Sequence, residues 1–166
     1  MAARHRAALI SLFAATLLAA GGASAGPSQV RKGDITVSSR MVRTSFGAAP
    51  NSAAYMVIAN SGNAPDKLIA ARCACAASVD IHETEDMAGM SMMKSAAPVS
   101  IPAHGQVVFH PGGLHLMLTH LKARLAEGGE QDITLVFQRA GTVRASFQIR
   151  AQIPAVPAAP MPGMGR

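Results

Sequence analysis

Pro111-Gly112-Gly113-Leu114-His115-Leu116-Met117-Leu118 is the stretch from which the fold can be read. Pro-Gly-Gly is turn chemistry, and the five residues after it alternate with period two. In a strand, that alternation sends Leu114, Leu116 and Leu118 to one face and His115 and Met117 to the other. Working outward, segments 35–42, 53–60, 67–72, 78–83, 106–110, 114–118, 132–138 and 142–150 are all rich in Val, Ile, Leu, Phe or Thr. Turn residues separate them, among them Asn60-Ser61-Gly62-Asn63, Pro102-Ala103-His104-Gly105 and Gly128-Gly129. Strands at this spacing, with no long amphipathic helix, predict an all-β antiparallel sandwich or barrel in a single domain over residues 34–150.

The ends read differently. Arg4 and Arg6 precede an apolar run over residues 7–20, and Ala23-Ser24-Ala25 matches a small-residue cleavage site. Residues 1–25 are therefore expected to be a cleaved signal peptide, with export to the periplasm and a mature chain starting at Gly26. The run is shorter than the ~20 residues a membrane span needs, so no transmembrane anchor is expected in the mature chain. No cysteine follows it to take a lipid. Residues 26–33 read as a linker and residues 151–166, rich in Pro and Ala, as a disordered tail. Without the leader the chain carries 13 basic and 9 acidic residues, a formal charge of +4 with no Lys/Arg cluster. With aromatics at 4% and no Trp, the charged groove and stacking platform of a nucleic-acid binder are missing.

The chemistry lies in a spacing. His82, Met93, His115 and Met117 form the pattern H-x10-M-x21-H-x-M. Two imidazoles and two thioethers, without carboxylate or thiolate, favour a soft d10 ion, Cu(I), over Mg, Ca or Zn. In segment 78–83 the alternation places Val79 and Ile81 inward and His82 outward, as His115 and Met117 are outward in theirs. Both histidines are thus expected on accessible faces, suited to handing an ion to a partner. Closing the longer gap in a floppy chain would cost roughly 2–3 kcal/mol, which a rigid sandwich supplies in its own fold. The site is expected to be preformed, with Met93 as its mobile member.

Between these segments lies Met87-Ala88-Gly89-Met90-Ser91-Met92-Met93. Methionine is often irregular core filler. Here Glu85, Asp86, Gly89 and Ser91 point to an exposed loop, with Met87, Met90 and Met92 as accessory ligands for capture or exchange. Cys73 and Cys75 form C-x-C, and three readings stand side by side: a local disulfide, an accessory thiolate copper site, or intermolecular or free thiols. His104, His110 and His120 fall in or beside turns and read as exposed polar residues. His82-Glu83 is no zincin motif, because Asp86 stands where a second histidine is required. No phosphate loop, catalytic triad or paired-carboxylate site stands out, and the chain does not read as an enzyme.

On His82-Glu83-Thr84 followed by Met93, and on the block from Pro111 to Leu118, the chain resembles the periplasmic PCuAC-type copper chaperones. Ala53-Ala54-Tyr55, Asp66-Lys67-Leu68 and Ala140-Gly141-Thr142-Val143 extend the likeness over residues 34–150. The resemblance implies a cupredoxin-like Greek-key sandwich that binds Cu(I) through His82, Met93, His115 and Met117. It also implies delivery to the CuA centre on the copper-bearing subunit of cytochrome c oxidase. Many members have a His/Met-rich tail able to take Cu(II), whereas this tail has Met161 and Met164 but no histidine. Two other functions compete with a chaperone. A copper-sequestering or tolerance protein would hold several ions, and a blue-copper electron carrier would need a cysteine near the second histidine, where none stands.

Overall fold

The computed structural model describes residues 29–45, 50–87 and 89–154; the expected signal peptide and residues 155–166 of the expected tail lie outside them. All regular structure among the described residues is β. The strands are β1 (Val30–Lys32), β2 (Ile35–Arg43), β3 (Ser52–Asn60), β4 (Asp66–Arg72), β5 (Ala76–Met87), β6 (Met90–Ser95), β7 (Val99–Ile101), β8 (Gly105–Phe109), β9 (Leu114–Leu121), β10 (Glu130–Phe137) and β11 (Gly141–Arg150).

Alternation explains the layers. In β10, Ile133, Leu135 and Phe137 are buried, and across the ladder from it Val143, Ala145, Phe147 and Ile149 of β11 are buried too. Together with Ile35, Met56, Ile58, Leu68, Ile101, Phe109, Leu116 and Leu118 they make one core. Each such side chain contributes about 1.5–3 kcal/mol through loss of apolar surface to water. Strand order along the sheet is β6-β5-β9-β3-β2-β11-β10-β4-β7, with β1 beside β2 and β8 beside β3. One edge of β3 is shared: Ser52–Ala54 pair with β9, and Met56–Asn60 with β8. All pairs are antiparallel except β11 with β2, joined in parallel over Gln148–Arg150. The all-β, cupredoxin-like architecture is thus the one expected.

Three elements differ from expectation. β1 falls in the stretch read as a linker, so strand pairing starts at Val30, ahead of Asp34. β7 is a short strand that the sequence did not announce. The methionine-rich segment is not a loop: β6 pairs with β5 from His82↔Ser95 to Met87↔Met90, so the segment spans the tip of a hairpin and runs on into its second arm. Gly89 has φ +85° there, a conformation only glycine takes without strain. The ladder prevails because alternation on β5 continues past Glu83 to Met87, and β6 completes its hydrogen bonds.

Candidate metal centre

The site face is built by register. β5 pairs with β9 so that His82 stands opposite His115 and Asp80 opposite Met117. On its other side β5 pairs with β6, where Thr84 stands opposite Met93 and His82 opposite Ser95. Residues opposite each other in an antiparallel ladder share a face, and residues two apart on one strand share it too. Met93, His82, His115 and Met117 therefore lie on a single face across three adjacent strands. Leu114, Leu116 and Leu118 take the other face of β9, and Leu116 and Leu118 are fully buried in the core.

The two imidazoles meet edge to face, with ring centroids 6.0 Å apart and planes at 89°. The His115 Nδ1 donates to the Gly113 carbonyl at 2.9 Å, which leaves Nε2 as the nitrogen with a free lone pair. That same carbonyl accepts the backbone N–H of Thr84, so the turn before β9 is tied to β5 at the site. The His82 Nδ1 is buried and has no hydrogen-bond partner. A buried nitrogen left unpaired is costly and marks a place where another group is wanted.

Exposure departs from the sequence reading at one ligand candidate. His115 is 7% exposed, not freely accessible, and His82 is half-buried. The reason is mutual cover: each ring packs on the other, and the His110–Gly113 turn folds back over β9 through the His110 N–H to Leu114 carbonyl bond. Met93, by contrast, is 62% exposed. The face is thus closed on the histidine side and open at β6.

Of the accessory candidates, Met87, Met90 and Met92 lie on the opposite face of the β5–β6 hairpin, with Glu83, Glu85 and Lys94. Cys73 and Cys75 are joined in a disulfide with Cα atoms 5.1 Å apart, and neither is a thiolate available to a metal. The Cα atoms are closer than a strand spacing of about 6.6 Å because Ala74 and Cys75 form a turn between β4 and β5. His104, His110 and His120 are exposed, as read. Among the described residues no three His, Cys, Asp or Glu side chains come together as a metal site. The two histidines therefore gain no third nitrogen, thiolate or carboxylate ligand from the described residues, and the other side chains with metal-binding atoms placed on their face by register include the thioethers of Met93 and Met117.

Two residues of this face went unread in the sequence. Tyr55 follows Ala53 on the face of β3 that meets Met117, and Met41 stands opposite Tyr55 on β2. Tyr55 is buried, and burial pushes its phenol above the ordinary range, against an opposing pull from Arg43. The signal that could have found them is the odd-numbered register of β3, which becomes meaningful only once its pairing with β9 is known.

The all-β fold that carries this face is shared with solved PCuAC domains. The apo PCuAC domain from PmoF1 superposes with a TM-score of 0.66 at 29% identity, covering 75% of this chain and 100% of that one. The copper-bound PCuAC domain from PmoF2 gives 0.65 at 26%, covering 75% and 99%. The solution structure of CuI-DR1885 from Deinococcus radiodurans gives 0.55 at 28%, covering 69% and 78%. Residues 35–149 match the family described as "Putative lipoprotein LpqE-like", and the chain belongs to that family. A curated relative, a "Putative lipoprotein" of Leifsonia xyli subsp. xyli, is 31% identical over 99 residues. The match spans 59% of this chain and 60% of that relative.

Proposed function

We propose that this protein is an exported Cu(I) carrier, binding one ion through His82, Met93, His115 and Met117 and releasing it to a partner in the periplasm. The observation that carries this reading is the shared face of those four side chains, with a buried, unpartnered His82 Nδ1 beside a His115 whose Nε2 is free. A neutral, soft donor set of two nitrogens and two sulfurs suits Cu(I). The likeness to the copper-bound PmoF2 domain and to CuI-DR1885 supports the same cargo.

The geometry also suits transfer. A buried His115 with a half-buried His82 supplies a fixed half of the site, while Met93 on an exposed strand supplies a half that can open. Carriage of this kind needs no catalytic group, and the recipient we favour is the CuA centre of cytochrome c oxidase. Replacing His115 or Met117 by Ala is expected to lower Cu(I) affinity by more than the ~10–100-fold that loss of an outer-shell partner causes. Competition against a chromophoric Cu(I) chelator measures it, and unchanged affinity in both variants defeats the reading. Transfer is tested by mixing two equivalents of the loaded protein with the apo copper-bearing oxidase domain, removing one electron from the product with ferricyanide and reading the absorption of the mixed-valence CuA centre; a loaded protein that leaves that domain empty rejects this recipient.

A further inference from the structure

Three methionines stand on the face of the β5–β6 hairpin turned away from the histidines. Met87, Met90 and Met92 are 58%, 68% and 56% exposed. In water such apolar side chains gain nothing from burial, so packing does not account for them. Register accounts for their proximity. Met87 is directly opposite Met90, a separation of about 4.5–5.5 Å between neighbouring Cβ atoms. Met92 is two residues beyond Met90 on the same side, about 6.6 Å along the strand, and diagonal to Met87. Methionine has three rotatable bonds, so three sulfurs from these positions can converge on one point above the hairpin.

Their neighbours decide which ion could sit there. The carboxylates on this face, Glu83 and Glu85, are both engaged by Lys94, whose ammonium is hydrogen-bonded to Glu85 and lies 3.7 Å from Glu83. A hard cation would have to displace that ammonium, whereas a thioether trio with no charge of its own selects a soft monovalent ion.

We infer that Met87, Met90 and Met92 form a second, solvent-facing Cu(I) site on the outer side of the hairpin, behind the two strands that carry His82 and Met93. The inference deepens the carrier reading: the same hairpin presents an open all-sulfur site on one face and a half-buried nitrogen–sulfur site on the other. Three neutral sulfurs in water hold the ion more weakly than a set that includes two imidazoles. An ion is therefore captured at the trio and passed to the histidine face as the arm moves.

The test is a titration of the protein with Cu(I) under reductant-maintained anaerobic conditions, read by the 13C methyl resonances of its methionines. The first equivalent is expected to move Met93 and Met117, and the second Met87, Met90 and Met92. Conversion of the trio to leucine (M87L, M90L and M92L together) should reduce the stoichiometry by one ion and leave the first affinity unchanged. Trio resonances that stay still at excess Cu(I) overturn the second site and leave the carrier reading untouched. Movement of the trio with Met93 and Met117 still supports the second site and defeats the carrier reading. The wild-type spectra decide the matter without the variant, should leucines at the hairpin tip disturb its folding.

Discussion

His115 is held by a glycine two residues away. Its Nδ1 donates to the Gly113 carbonyl, and a Cβ added to Gly113 would lie 2.5 Å from Cε1 and Nε2 of the His110 ring. Neither atom can be accommodated at that distance, so an alanine here must push the His110 ring or its own carbonyl aside. Gly113→Ala is therefore expected to lower Cu(I) affinity by up to ~10-fold, the low end of what disturbing a group that orients a metal-ligating histidine costs, because the exposed His110 ring can swing aside and the carbonyl is retained. The double variant Gly113→Ala, His110→Ala should recover most of the affinity, because the clash and not the methyl group is at fault. Competition titrations on the wild type and the two variants check this. Equal loss in the single and double variants would show that the His110 ring plays no part. What the sequence disclosed at this scale was the outward side of His82, His115 and Met117, since period two is a local property. It did not disclose the burial of His115, which arises from a turn and a neighbouring strand that no local pattern encodes.

The hairpin of β5 and β6 is the element on which the site depends and the one the sequence read least well. Met90–Ser95 contains no β-branched or aromatic residue, and every residue of it is exposed. It therefore looks like a loop by composition, and it is a strand only because β5 offers it a ladder. β1 and β7, at three residues each, are too short for any periodicity to register. The long, alternating strands were legible for the opposite reason: β10 and β11 each carry a full buried face of their own. β6 ends the sheet, and Lys94 with its two glutamates guards that exposed arm against pairing with other chains. Few buried contacts hold it, so its amide hydrogens should exchange faster than those of β9 and β10 in the apo protein. Cu(I) ligated by Met93 ties β6 to β5 and β9, and exchange at residues 91–95 should then slow by at least ~10-fold while β10 stays unchanged. Hydrogen exchange with and without one equivalent of Cu(I) measures this. Equal exchange in both states would mean that Met93 is not a ligand.

Across the whole molecule, the stabilising devices stand apart from the copper face. The Cys73–Cys75 disulfide precedes β5 at Ala76, six residues from His82, or about 20 Å along the strand. It closes so short a loop that chain entropy accounts for only about 1–2 kcal/mol of stability. Reduction should therefore lower the unfolding midpoint slightly and leave Cu(I) affinity within about twofold of its starting value, as distant sites act independently. Asp66 is the second device. It is 5% exposed and accepts backbone N–H bonds from Lys67, Arg139 and Ala140, pinning the start of β4 to the turn between β10 and β11. Burial alone would raise its carboxyl, but those three donors and the Arg139 charge outweigh it and hold the group below the ordinary carboxylate range. A carboxyl whose value is depressed by folding stabilises the protein above the unfolded value of about 3.9, and that share is lost as pH falls through the folded value. Asp66→Asn should then cost about 1–3 kcal/mol at neutral pH, because its amide nitrogen must face one of the N–H donors. As pH falls below the unfolded value of about 3.9, that charge-linked share is progressively lost, so the deficit should shrink. Urea unfolding of both proteins at neutral and acid pH gives the comparison, and a deficit that is the same at both would show that the Asp66 charge contributes nothing. Cu(I) affinity at neutral pH should be equal in the two proteins, since Asp66 lies on β4, away from the three strands that carry the histidine–methionine face.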